Sequence, residues 1–375
     1  MALTALPPKH AEKDGDFHTL LTEWNAMKIR QSTRTLPAEW SAQSGIWLTW
    51  PHKETDWNPI LEEITKTYIR LAYEIAQREK LIIVHPHSDE VQELLQSHLP
   101  TAALKNIIFY SCPTNDTWAR DHGVITVRNN KEWELVDCAF NGWGNKFPAE
   151  KDNAITSHLY KSHILHGKYI DALDFILEGG SIESDGAGVI LTTAHCVCSE
   201  SRGHNRSRQF IEQKFQELFG AQKVLWLTHG HLEGDDTDGH IDTLARFCPG
   251  NVIAYVKCDD PSDSHFQELQ LMESELQNFS NISNQPYTLI PLPMAPVIYD
   301  EDGTRLPATY ANFLILSKSV IYPTYGVSDL DLQVENILRS IFPHYELIGI
   351  DAQVLIKQHG SIHCAAMQLP YDVVK

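Results

Sequence analysis

The chain has 375 residues, 42% of them hydrophobic, which is long enough for a sizeable core and too long for a minimal binding module. Its 49 acidic residues against 30 Lys and Arg leave a formal charge of −19. That balance argues against a nucleic-acid backbone or an anionic membrane as partner and is compatible with a cationic substrate.

In chain order, residues 59–80 carry apolar or aromatic side chains at Ile60, Ile64, Tyr68, Leu71 and Ile75, the spacing of an amphipathic helix, and run into a short apolar strand at 81–84. Strands are predicted at 107–110 and 124–127. A second helix is predicted over 207–219, stopped by Gly220 and followed by a strand at 224–227. Helix-to-strand units recur at 264–279 with 287–291 and at 330–342 with 346–350. In the second half these units start near Ser207, Ser264 and Leu330, roughly sixty residues apart, so the α/β pattern fits either repeats around an axis or an open sheet.

No run of 18 apolar residues occurs, and residues 1–17 lack the basic and apolar regions of a secretory signal. Seven cysteines, an odd and scattered set, read as reduced thiols, so a cytoplasmic enzyme is expected and the sequons at Asn115, Asn205, Asn278 and Asn281 carry no glycosylation reading. No stretch separates domains, so residues 1–375 are read as one catalytic domain.

Four polar, glycine-marked stretches stand apart from the apolar pattern. Trp118-Ala119-Arg120-Asp121-His122-Gly123 lies between two predicted strands, where an acid and a base belong at a strand end. Leu177-Glu178-Gly179-Gly180-Ser181 sets a carboxylate before two glycines that permit a sharp turn. In Gly234-Asp235-Asp236-Thr237-Asp238-Gly239-His240-Ile241-Asp242, an extended chain would point His240 and Asp242 to one face, a plausible acid/base pair. Gly360-Ser361-Ile362-His363-Cys364 presents a thiol after a polar turn, and alternation along an extended segment would turn His363 away from Cys364. The other six cysteines, and His363, are read as packing residues.

Metal and cofactor chemistry find little support. His195-Cys196-Val197-Cys198 and His229-Gly230-His231 lack the paired spacing of a structural zinc site, and neither the dinucleotide nor the P-loop fingerprint occurs. No cofactor and no metal are expected.

Taken in order, Trp-x-Arg-Asp-x-Gly, Glu-Gly-Gly, Gly-His-x-Asp and Ile-His-Cys resemble the agmatine deiminases and the Porphyromonas-type peptidyl-arginine deiminases of the guanidine-modifying superfamily. Leu36-Pro37-Ala38-Glu39-Trp40 and Trp47-Leu48-Thr49-Trp50-Pro51 extend the resemblance over about 36–370. The resemblance implies a five-bladed, pseudo-fivefold α/β propeller of ββαβ units, with the site on its axis. It implies Cys364 as nucleophile, His240 as general acid/base, Asp121 and Asp242 as guanidinium-binding acids, and Glu178 as the carboxylate supporting His240. It also suggests Trp118, Asp235 and Asp236 as substrate-binding residues, agmatine rather than peptidyl-arginine as substrate, and a homodimer as the assembly.

Overall fold

One order of elements, a β-hairpin, a helix and a further strand, recurs five times among the described residues, which are 33–203 and 206–375 of the computed structural model. Residues 1–17, read above for targeting signals, and the sequon at Asn205 lie outside them. Each repeat builds one small sheet whose central strand pairs antiparallel with its hairpin partner and parallel with the strand after the helix.

The third repeat illustrates the local logic. Ile182–Ser184 and Val189–Thr193 form the hairpin, Arg208–Phe219 is the helix, and Lys223–Leu227 returns beside Val189–Thr193 with Val189 opposite Lys223. The helix starts where the Ser207 hydroxyl accepts from the Phe210 amide at 3.2 Å, satisfying a first-turn donor. It ends at Gly220, whose φ of +73° is left-handed and whose Cβ would meet the Arg34 carbonyl. Ile211, Phe215 and Phe219 point inward from its buried face.

The fourth repeat comprises Ala245–Cys248, Val252–Lys257, Phe266–Leu276 and Thr288–Pro293, and the fifth Leu314–Ile315, Ser319–Thr324, Ser328–Ile341 and Glu346–Asp351. The second uses Ile125–Asn129, Glu132–Ala139, Asp152–Lys161 and Lys168–Ile176. The first repeat is assembled from both ends of the chain: Ala366–Pro370 pairs antiparallel with Gln43–Thr49, which is followed by the helix Leu61–Ala76 and the parallel strand Lys80–His85. The last strand thereby completes the first blade of a five-bladed α/β propeller. Of the stripe read from periodicity, Ile64, Tyr68, Leu71 and Ile75 are fully buried, while Ile60 is half-buried in the 3-10 turn that precedes the helix.

Turns at one end of the blades carry the polar stretches. A one-turn helix at Ala119–His122 packs on the turn at Gly179–Ser181, which in turn packs on the turn at Ile241–Thr243. No helix among the described residues is long and apolar enough to cross a membrane.

Candidate active site

The residues singled out from four distant stretches meet around Gly180. A Cβ at this position would lie 2.7 Å from His240 Nδ1, 2.8 Å from Asp121 Oδ1 and 3.2 Å from Asp242 Oδ2. The glycine pair forms the expected turn at Gly179–Ser181. Neither glycine has a left-handed φ, and both are required for space: at Gly179 a Cβ would collide with the Arg120 carbonyl at 2.1 Å. His240 and Asp242 converge, but on a 3-10 turn that begins after His240 rather than on an extended strand.

Asp121 is 4% exposed, and both its oxygens are aimed by donors: the Gly180 amide reaches Oδ1 at 3.0 Å and the Trp143 indole N–H reaches Oδ2 at 3.0 Å. Trp143 adopts φ +54° between two glycines that are also left-handed, a costly conformation for a bulky residue and a mark of a functional constraint. Burial pushes the Asp121 carboxyl up to about 6, opposed by the neighbouring His240 and reinforced by Asp242.

His240 is completely buried, with Nδ1 3.5 Å from Asp121 Oδ1 and Nε2 3.9 Å from Glu178 Oε2. Neither ring nitrogen has a hydrogen-bond partner. Burial acts to lower its pKa, but Asp121, Cys196 and Glu178 outweigh burial and raise it well above the usual imidazole range. These neighbours favour the imidazolium over the neutral ring. Glu178 is held from the other side by Arg202 Nε at 3.0 Å, and Arg202 also binds the Thr237 carbonyl and Asp238.

Cys364 is 4% exposed, and its Sγ lies 3.1 Å from Asn312 Nδ2 and 3.6 Å from Asp242 Oδ2. Asn312 Oδ1 accepts from the backbone amides of His363 at 2.9 Å and Cys364 at 3.2 Å, so one amide side chain fixes the loop and faces the sulfur. Burial, then the Asp242 and Asp121 carboxylates, push the thiol pKa well up, so these surroundings favour a neutral thiol beside an imidazolium.

Asp242 accepts from His363 Nδ1 at 2.7 Å through Oδ2, while its Oδ1 is buried without a partner. The reading of His363 as a packing residue is thus corrected. Residues 362–365 form a turn rather than a strand, so alternation does not apply, and His363 and Cys364 both reach Asp242 Oδ2. Asn312, Trp143 and Arg202 escaped the sequence reading as well. Only the glycine-flanked, aromatic Gly142-Trp143-Gly144 carried a usable signal.

A narrow cavity leads to Cys364. Trp118, Trp143, Asp56, Asp116 and Asp236 are among its lining residues. Trp118 packs its ring against Trp57, with centroids 5.8 Å apart, and leaves no room for a side chain at Gly360. Burial pushes the Asp116 carboxyl up to about 7; hydrogen bonds from Thr117 oppose this, while Asp56 and Asp236 add to it. Asp235 does not join the cavity lining. Its oxygens accept from the Thr237 amide and hydroxyl and the Gly239 amide, so its role is to shape the loop before His240.

Among the described residues, two buried groups each bring three residues of metal-ligating type together, Glu178–Cys196–His240 and Glu39–Glu183–His363. A guanidinium already serves each: Arg202 pairs with Glu178, and Arg246 donates to Glu39 and Glu183 and contacts His363. A dication at either place would face a buried cation, so neither set suits a metal. His195 is exposed while Cys196 beside it is buried, so that run does not converge on a common point.

A family model described as Porphyromonas-type peptidyl-arginine deiminase matches residues 35–370. A protein of Legionella pneumophila (strain Paris), described as "Putative agmatine deiminase", is 33% identical over 341 residues, covering 89% of this chain and 95% of its own length. Among solved structures, the "Putative Arginine Deiminase from Porphyromonas gingivalis" is 44% identical with a TM-score of 0.86, covering 91% of this chain and 100% of that one. A cysteine-to-serine variant of C. jejuni agmatine deiminase with substrate bound is 37% identical with a TM-score of 0.82, covering 91% and 97%.

Proposed function

The chain belongs to the Porphyromonas-type peptidyl-arginine deiminase family, and on that premise we propose that it is an agmatine deiminase, hydrolysing the guanidinium of agmatine to N-carbamoylputrescine and ammonia. The observation that carries this reading is the convergence of the carboxylates of Asp121 and Asp242 with His240 around Gly180, with Cys364 Sγ 3.6 Å from Asp242 and with Asp121 and Cys364 both lining the narrow cavity.

A guanidinium is planar and permanently charged, so two carboxylates can grip its N–H edges with charge-assisted hydrogen bonds while its carbon faces a nucleophile. The unpartnered Asp242 Oδ1 is suited to accept one such donor. Arrival of the substrate cation offsets the two carboxylates that hold the Cys364 thiol neutral, so the thiol can lose its proton to solvent as substrate binds. The thiolate then attacks the guanidinium carbon, forming a C–S bond and a tetrahedral adduct. The His240 imidazolium protonates the departing amino group, the C–N bond breaks, and ammonia leaves a cationic thiouronium on Cys364. Neutral His240 next takes a proton from water as the hydroxyl adds to the same carbon; the C–S bond then breaks, the hydroxyl proton passes to the departing sulfur as the C=O forms, and the ureido product leaves with the Cys364 thiol and the His240 imidazolium restored. Hydrolysis needs no electron transfer, so these side chains account for every step.

Agmatine carries a second cation at the far end of an aliphatic chain. Trp118 beside the cavity offers the chain an apolar wall, and Asp56, Asp116 and Asp236 offer its ammonium an anionic mouth. The same acids would repel the carboxylate of free arginine.

Ureido-product and ammonia formation with agmatine, free arginine and a peptidyl-arginine, beside a Cys364→Ala control, tests the reading. Turnover of agmatine that disappears in the control is expected. Turnover of peptidyl-arginine alone would overturn the substrate and keep the chemistry; no product from any of the three would overturn both.

A further inference from the structure

Beside Asp242 lies a chain of buried polar groups that do not line the Cys364 cavity and that the reaction above does not use. His363 Nδ1 meets Asp242 Oδ2 at 2.7 Å, and its Nε2 lies 2.9 Å from Glu39 Oε2 and 3.0 Å from an Arg246 amino group. Arg246 also binds Glu39, Glu183 and the Phe313 carbonyl, and its guanidinium lies 4.8 Å from the Phe313 ring centre. Glu39 in turn accepts from the Ile315 amide at 2.7 Å.

This arrangement is too specific for filler. Burial of several charges is costly unless each finds partners, and a packed apolar core would be the cheaper way to fill the same volume. Each end of the His363 ring is fixed by a carboxylate, so rotation about its side chain is stopped from both sides. The consequence falls on Asp242: with Oδ2 tied to His363, its plane is set and Oδ1 is left unpartnered in the interior. Burial raises the Asp242 carboxyl, and the hydrogen bond and charge of His363 overcome this and keep it ionised. Glu39 is likewise raised by burial and brought below its usual range by Arg246 and His363. Arg120, the other buried cation facing this network, donates toward the His363 carbonyl at 3.4 Å rather than toward the ring.

We infer that His363, oriented by Glu39 and Arg246, is the positioning residue that aims Asp242 at the cationic group of the substrate. His363 touches no reacting atom; it acts through Asp242. This rests on Asp242 being a guanidinium-binding carboxylate.

The two ends of the imidazole can be tested separately. His363→Asn keeps a donor near Nδ1, toward Asp242, and His363→Gln keeps one near Nε2, toward Glu39. Alongside KM and kcat for agmatine, alkylation of Cys364 by cationic 2-chloroacetamidine and by neutral iodoacetamide is followed by peptide mass spectrometry, since only the cation needs an aimed Asp242. His363→Asn should keep the ratio of the two alkylation rates within about threefold of the unmodified protein. His363→Gln, with a similar melting temperature, should lower it by about 10- to 100-fold and raise KM for agmatine by a comparable factor, the loss expected for one charge-assisted contact. Equal ratios in folded Asn and Gln variants would overturn the inference. Should either fail to fold, Glu39→Gln is read instead: a reduced ratio supports the role and an unchanged one overturns it. If the unmodified protein turns over no agmatine while the ratio still follows His363, the substrate reading falls and the positioning role stands.

Discussion

The Gly180 amide donates to Asp121 Oδ1 at 3.0 Å, and a Cβ on the same residue would sit 2.8 Å from that oxygen. Gly180 therefore both aims the carboxylate and lets His240, Asp121 and Asp242 close in beside it. Its φ is not left-handed, so alanine meets no backbone penalty there. Gly180→Ala should fold with a lowered melting temperature and lose on the order of 100-fold or more in turnover, since a methyl group would push His240 and Asp121 out of place. Paired melting curves and initial rates check this; a fully active Gly180→Ala protein would remove this close packing from the mechanism.

Cys364→Ser should retain the fold, because Asn312 can bond an oxygen as it does the sulfur. Its turnover should fall by roughly 1,000-fold or more, since serine lacks a comparably acidic nucleophile. In the unmodified protein, rapid acid quench with excess substrate should trap an adduct on the peptide bearing Cys364, detected by mass. An adduct on another cysteine would reassign the nucleophile.

Two carboxyls with raised pKa values line the cavity that leads to Cys364, Asp121 at about 6 and Asp116 at about 7. A raised carboxyl is neutral below its pKa and charged above it, so attraction for a cation is present at higher pH and is lost as pH falls through 7 and then 6. KM for agmatine should accordingly climb from about pH 7 downward. Asp116→Asn should raise KM about tenfold at pH 8, with little change in kcat, and remove the upper part of the pH dependence. A KM profile in Asp116→Asn that matches the parent at all pH values would exclude Asp116 from substrate binding.

Arg202 and Glu178 are an ion pair with essentially no solvent contact on either side chain. Removing one partner leaves a buried charge, so Arg202→Leu should destabilise the protein by about 3–5 kcal/mol in urea or thermal unfolding. Lys66 and Glu62 make a helix-surface pair instead, and Lys66→Ala should leave the unfolding midpoint almost unmoved. Equal effects of the two substitutions would contradict the assignment of Arg202 as a buried counter-ion.

Several features were legible in the chain itself. The helix over Arg208–Phe219 follows from an apolar stripe, the Ser207 cap and the Gly220 stop, because these are contests between neighbouring residues. Asp121, Glu178, His240, Asp242 and Cys364 stood out because acids, a base and a thiol beside glycines have no place in an apolar core. Their common location was implied by a resemblance, and spacing along the chain did not supply it.

Tertiary structure decided the rest. The spacing of the helix-to-strand units left an open sheet and a repeat equally available, and pairing of Ala366–Pro370 with Gln43–Thr49, more than 300 residues apart, closes the first blade. The glycine pair does form a turn, yet what demands glycine is the proximity of the Arg120 carbonyl at Gly179 and of His240, Asp121 and Asp242 at Gly180, all some sixty residues away. Asp235 and Asp236 are adjacent and chemically identical, but backbone amides take up the first and the cavity receives the second. His363 could not be told from a packing histidine, since its partners Asp242 and Glu39 are brought to it only by blade assembly. Local patterns record competition within a few residues of backbone, whereas burial, hydrogen-bond partners and shared electrostatic fields belong to neighbours that only the folded chain assembles.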